Sequence, residues 1–388
     1  MIYLDNNATT QVAPEVLAEM HRLAGVAIGN PGSRHLAGRR ARQVLEDARD
    51  SIAEILDALP EEIIFTSGGT ESNNLALTGL AAGRQGLLLL PPGEHPSIEE
   101  PVRRLVQSGW QRQTLEVDLQ GRLKSTFEEE LELQGVQLAT SILAHNETGV
   151  IHALKPLAHR CRERGIPFHV DAVQAVGKID VSFKFLPATT LSAAAHKFHG
   201  PRGIGLLLVR RGTRLTPQLF GGHQEQGFRP GTEPVILAAG MAVALRAWHH
   251  DKTERFRRIT ALRDQLERGL LASCSPASVN GDRDHRLPNT LNIAFPGCDA
   301  DALLIALDLA GICCSLGSAC ASGSNEPSPI LIAMGLPENI FRSSLRLSVS
   351  LQNTSEEIEL AIRQISEAVR KLRRHSETSQ PSRRPGSA

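Results

Sequence analysis

Six short apolar runs recur along the first part of the chain: EIIFTS (62–67), GLLLLP (86–91), VQLATSILA (136–144), PFHVDAV (167–173), ATTLSA (188–193) and GIGLLLVR (203–210). Helical stretches separate them. Strands this uniformly apolar need cover on both faces, and strands that alternate with helices pair through parallel crossovers. The pattern predicts an α/β fold with a mostly parallel sheet and helices on both faces. One covering helix is plain over 36–58, where Ala41, Val44, Leu45, Ala48, Ile52 and Ile55 fall at helical spacings with charges on the other side.

Past residue 235 the pattern changes. The stretch 235–272 predicts one long helix that carries the chain into a smaller α+β domain, with strands at NTLNIAF, GICCSLG and SLRLSVS and helices at 299–310 and 354–374. The 388 residues exceed one ordinary core, so a large domain with a smaller one attached is expected. The division expected is an N-terminal segment 1–15 packing with the small domain, a large domain 16–250, a small domain 251–374 and a solvated, mobile tail 375–388, where apolar residues almost vanish.

Lys plus Arg equals Asp plus Glu at 42 each, which argues against nucleic acid or an anionic membrane as the main partner. MIYLDNNATT has neither a basic start nor an apolar core, and no apolar run approaches the roughly 18 residues of a membrane span, so a cytoplasmic location is expected. Six cysteines, two of them adjacent (Cys313, Cys314), make no disulfide framework and no zinc-type C-x₂-C spacing. Cys161, Cys274 and Cys298 are expected to be inert buried thiols, and no metal site is expected, His196 and His199 included. Cys320 is different: SLGSACASGSNEPSP (315–329) surrounds it with glycine, serine and proline, which cannot form a core.

Ligands of open α/β sheets bind outside the carboxyl ends of the strands. FTSGGTESNN ends a strand and opens a helix near Thr70, offering backbone N–H groups to an anion; by itself it equally fits an ordinary capped turn. HVDAVQAVG puts Asp171 at a strand end with Gln174 one helical turn on, and SAAAHKFHG puts Lys197 after a later strand, beside His196. An aspartate able to pair with a pyridinium nitrogen and a lysine able to form a Schiff base are what pyridoxal phosphate chemistry asks of a protein. Taken alone, Lys197 also fits a surface lysine, and Arg346 a plain strand-end charge.

YLDNNATT, NPGSRHLAGRRAR, FTSGGTESNN, HNETGV, VDAVQAVGK, AHKFHGPRGIG, GGHQEQGFRPGTEPV, LPNTLNIAF and GSACASGSNEPS stand in the order seen in cysteine desulfurases. From about residue 3 to about residue 350 the chain resembles these fold-type I pyridoxal phosphate enzymes of the class V aminotransferase group, and most of all the subgroup that serves iron–sulfur clusters.

The resemblance implies that Lys197 carries the Schiff base, Asp171 pairs with the pyridine nitrogen, Gln174 hydrogen-bonds the phenolic oxygen, and His95 stacks on the ring and shuttles protons. It implies that Gly69, Thr70 and His196 hold the phosphate with Thr232 of a second subunit, which makes a homodimer part of the site. Asn146 and Arg346 would bind the substrate carboxylate, Asn146 also lying against the cofactor. Cys320 would take sulfur from L-cysteine, leaving alanine and a persulfide for an acceptor, either an iron–sulfur scaffold or a tRNA-thiolating enzyme.

Two positions depart from the family pattern. Ala194 replaces a common serine whose hydroxyl helps bind phosphate, and His145 replaces a common asparagine. Other readings are a related enzyme, an aminotransferase or selenocysteine lyase, or a catalytically idle scaffold in sulfur transfer.

Overall fold

The computed structural model describes residues 1–124, 133–316 and 328–379, with side chains as far as residue 375. Its main sheet runs in the order Ile63–Thr66, Gly205–Val209, Thr190–Ala194, Phe168–Asp171, Val136–Ile142, Leu87–Leu90, Gln111–Thr114. Every apolar run predicted in the first part of the chain is a strand of it. Gly205–Val209 runs antiparallel to both neighbours and the remaining pairs are parallel. The edge strand Gln111–Thr114 was not predicted, because all four of its residues are polar and exposed. Its backbone pairing with Leu87–Leu90 makes it a strand, and polar side chains suit an edge that must not recruit another sheet.

Helix Leu36–Leu56 buries Ala41, Leu45, Ala48 and Ile52 in a core that also holds Phe65, Phe168, Leu191, Leu206 and Met241. The single helix expected over 235–272 is two, Val235–His250 and Lys252–Ser273, broken at Asp251 with φ −115° and ψ 24°. The break has a packing cause. Ala238, Met241 and Leu245 belong to the large core, whereas Leu262, Leu266 and Leu270 belong to a second core with Leu291, Ile293, Phe295, Leu303 and Leu345.

That second core lies on an antiparallel sheet, Ser344–Ser348 against Thr290–Ala294 against Ser278–Val279. Ile2 and Leu4 join it, and Ile2–Tyr3 pairs in parallel with Ile312–Cys313, the short strand that GICCSLG forms. The last helix, Ser355–Ser379, continues beyond the expected stop at 374. Arg373 anchors it by donating to the carbonyls of Cys274, Ser275, Pro276 and Pro296, and a helix once nucleated propagates at low cost.

Candidate active site

Gly69, His95, Asn146, Asp171 and Lys197 lie at or just beyond the carboxyl ends of strands of the main sheet. Asp171, the last residue of its strand, is buried; its Oδ1 accepts from Val173 N at 2.9 Å and its Oδ2 from Asn73 Nδ2 at 2.7 Å. Helix Gly69–Ala81 starts beside it. A Cβ on Gly69 would stand 2.8 Å from Val173 Cγ2 and 3.8 Å from Ala194 Cβ, so only glycine lets the helix start come this close to the Asp171 turn. The first N–H groups of that helix have no carbonyl one turn back to bind.

Lys197 is half-buried and its Nζ donates to the carbonyls of Asn7 at 2.6 Å and Ala8 at 2.9 Å. His196, also half-buried, meets Thr9 Oγ1 at 3.2 Å. Burial, with Lys197 and Arg202 nearby, lowers its pKa to about 4. Gln174 shares an acceptor with Lys197: its Nε2 donates to Asn7 O at 2.8 Å, and its Oε1 accepts from Lys178 Nζ at 2.6 Å.

His95 caps helix Pro96–Gln107, its Nδ1 accepting from Ser97 N at 3.1 Å and lying 2.7 Å from Ser97 Oγ. The residue before it, Glu94, is buried and accepts from Ile142 N at 2.6 Å. Burial, and then Asp171, raise its pKa well above the usual carboxyl range.

Arg346 lies in strand Ser344–Ser348 of the small sheet and is 2 % exposed. Its Nη1 donates to Asn146 O at 3.1 Å and its Nη2 to Asp5 Oδ1 at 2.8 Å. Asn146 Oδ1 is buried with no hydrogen-bond partner among the described residues. His145, the departure that the sequence left unexplained, has a structural task. Its ring bridges Gly93 O at 2.9 Å and the N–H groups of Glu147 and Thr148, so it braces the loop bearing His95 against the loop bearing Asn146.

Thr70 is exposed. Thr232 is exposed beside Glu233, which Arg42 holds at 3.0 Å, so it belongs to an outer segment of this chain. Cys320 lies outside the described residues. The described positions next to that stretch join the site: Ser315 and Arg346 exchange backbone hydrogen bonds of 3.2 and 2.7 Å, and Ser328 Oγ donates to Glu147 Oε2 at 2.5 Å. Cys161, Cys274 and Cys298 are buried. Burial pushes Cys161 and Cys314 up to about 12, which leaves them poor nucleophiles.

Sequence reasoning missed Asn7, Asn73, Ser97, His169 and Lys178, all buried. The available signal was polar residues set within apolar or motif segments, such as His169 in FHVD and Asn73 in TESNN.

The donor set suits pyridoxal phosphate. It offers helix-start N–H groups and an imidazole for an anion, a buried carboxylate for a pyridinium, an amine for an aldehyde and a second imidazole at His95. Among the described residues, no group of three or more His, Cys, Asp or Glu is placed to hold a metal ion, and no helix is long and apolar enough to cross a membrane.

The family model for class-V aminotransferases matches residues 2–360. The chain is 42% identical over 378 residues to cysteine desulfurase 2 of Trichormus variabilis, covering 96% of this chain and 94% of that one. It is 40% identical over 379 residues to the cysteine desulfurase NifS of Azotobacter vinelandii, covering 96% and 93%. Among solved structures, a NifS-like protein superposes with a TM-score of 0.88 at 32% identity, covering 95% of this chain and 99% of that chain. SspA in complex with cysteine does so with a TM-score of 0.79 at 31% identity, covering 91% and 100%.

Proposed function

This chain belongs to the class-V aminotransferase family and, within it, to the cysteine desulfurases, and from that premise we propose how its residues move sulfur from L-cysteine. The observation that carries the reading is the convergence of Lys197, Asp171, His95 and Arg346 with both flanks of the Cys320 stretch. Pyridoxal phosphate, when bound, supplies an electron sink that acidifies the substrate Cα–H. Lys197 would hold the cofactor through its aldehyde, and its amine would carry the substrate Cα proton. Asp171, held by two donors, would keep negative charge beside the cofactor's ring nitrogen. Gly69, Thr70 and His196 hold the phosphate, and Thr232 of a second copy completes that cradle in a homodimer.

Arg346 and Asn146 take the substrate carboxylate. A guanidinium suits this because its two parallel donors fix a carboxylate, and here the substrate exchanges with Asp5 for Nη2. The Cys320 thiolate attacks the substrate sulfur: an S–S bond forms, the Cβ–Sγ bond breaks, and its electron pair stays with the carbon skeleton. Protonation there gives alanine, and Cys320 keeps the persulfide. The persulfide serves an acceptor, with iron–sulfur cluster assembly the use that fits the family. The loaded protein given L-cysteine should yield alanine and protein-bound sulfur together. Cys320→Ala should abolish the sulfur while the lysine adduct with the cofactor still forms; alanine without sulfur in the unmodified protein overturns the reading.

A further inference from the structure

Behind the candidate site runs a chain of buried hydrogen bonds in which every donor can be assigned. Asp171 accepts only, so the Asn73 group 2.7 Å from its Oδ2 must be the amide nitrogen. The second hydrogen of that nitrogen points to Ser97 Oγ at 2.8 Å. Asn73 Oδ1 is then an acceptor, and His169 Nε2, 3.0 Å away, must carry a proton. His169 Nδ1 accepts in turn from Thr190 Oγ1 at 2.9 Å. Burial lowers the pKa of His169 to about 3, so the ring is neutral, as one donor and one acceptor require.

Ser97 Oγ receives a hydrogen from Asn73, so its own hydrogen is directed to His95 Nδ1 at 2.7 Å. The Ser97 backbone N–H reaches the same nitrogen at 3.1 Å. With two donors on Nδ1, the ring proton of neutral His95 sits on Nε2.

We propose that Asn73 is a positioning residue that fixes two reactive groups at once, orienting the Asp171 carboxylate with one N–H and, with the other, turning the Ser97 hydroxyl onto His95 Nδ1, where it joins the Ser97 backbone N–H in keeping the ring proton on Nε2. The polarity of the whole chain is set by the acceptor-only Asp171. His95 therefore meets the substrate as an Nε2–H donor, in phase with the group that carries charge at the ring nitrogen. What this proton does in turnover rests on the desulfurase reading; the proton's position does not.

The test reads the apo protein, so it is separable from activity. With histidine labelled in nitrogen-15, long-range proton–nitrogen spectra above the imidazole titration range give the tautomer of each ring, and His95→Gln identifies the His95 signals. In the unmodified protein His95 should show a protonated Nε2 and an Nδ1 shifted by hydrogen bonding. Asn73→Asp reverses the chain, because Ser97 then donates to the new carboxylate, and Ser97→Ala removes the hydroxyl. Each should move the His95 Nδ1 resonance toward that of a nitrogen with one donor fewer. A proton on Nδ1 in the unmodified protein, or an Nδ1 resonance unmoved by Ser97→Ala, overturns the proposal; Ser97→Ala decides alone if Asn73→Asp does not fold.

Discussion

Lys178 and Lys197 bind two ends of one residue: Lys178 Nζ donates to the Asn7 side-chain oxygen at 2.9 Å, and Lys197 Nζ to the Asn7 carbonyl at 2.6 Å. Asn7 also receives Asn289 at 2.9 Å and donates to Thr290 at 2.8 Å and to the Asn146 carbonyl at 3.2 Å. One buried asparagine thus ties the amine end of the site to the loop of Asn146 and to the three-stranded antiparallel sheet.

Burial, followed by the charges of Lys197 and Arg346, lowers the pKa of Lys178 well below the usual lysine range. Between its folded and unfolded pKa values the unfolded chain holds more protons, so stability rises with pH by up to ~1.4 kcal/mol per unit. Urea unfolding below about pH 9, before the raised thiols of Cys161 and Cys314 act in the opposite sense, should show this rise, and Lys178→Met should remove it. The same variant strands Gln174 Oε1, for which a loss of about 1–3 kcal/mol near neutrality is expected.

Acid should weaken the fold through buried histidines. Burial pushes His145 and His169 from 6.5 to about 3. Their contribution is complete above 6.5 and is lost as pH falls toward 3, at up to ~1.4 kcal/mol per unit each. Glu94 and Glu147, raised by burial, act in the opposite sense, so the comparison of variants isolates the histidines. His145→Asn, which restores the residue common in the family, should flatten the decline in melting temperature between about pH 6.5 and pH 4; an unchanged slope contradicts this assignment.

Arg49 should be costly to remove. It is buried, with Nη1 on Ile63 O at 2.7 Å and Nη2 on Glu225 Oε1 at 2.8 Å, while Glu225 Oε2 accepts from Phe65 N at 2.8 Å. Arg49→Met leaves the Glu225 charge buried without a cation, its one remaining partner being Phe65 N among the described residues, a loss of about 3–5 kcal/mol. Arg49→Met with Glu225→Gln should recover part of it in denaturant titrations.

Gly69→Ala brings a Cβ against Val173. Overpacking of this kind costs about 1–3 kcal/mol, and here it falls on the turn beside Asp171. Cofactor affinity should drop at least ~10-fold, the equivalent of 1.4 kcal/mol, measured by titrating the apo protein and following lysine-adduct absorbance. Adding Val173→Ala should restore most of the affinity.

The central strands were legible because burial on both faces leaves a run of apolar letters, as in the four leucines of Leu87–Leu90. Gln111–Thr114 was not, since an edge strand is specified by its neighbour's backbone and its letters are those of a loop. The break at Asp251 was hidden for a related reason: helical periodicity does not say that two halves of a helix serve different cores. Lys197 and Asp171 stood out by type and place. Asn73, Ser97 and His169 did not, because their meaning lies in pairing across elements, and no spacing along the chain encodes which of an asparagine's atoms faces an aspartate.

The bonds from Asn6 and Asn7 to Ser348 span 342 and 341 positions of sequence, which makes maturation of the site a late event in synthesis. At about 5–20 residues per second, the opening residues leave the ribosome roughly 17–70 s before their partner strand exists. Until then Asn7 has Lys178, Gln174, Lys197 and the Asn146 carbonyl to bind but lacks its bonds to Ser348, Asn289 and Thr290. The core around the seven-stranded sheet can close early, but the chemistry beside it must wait for the other end of the chain.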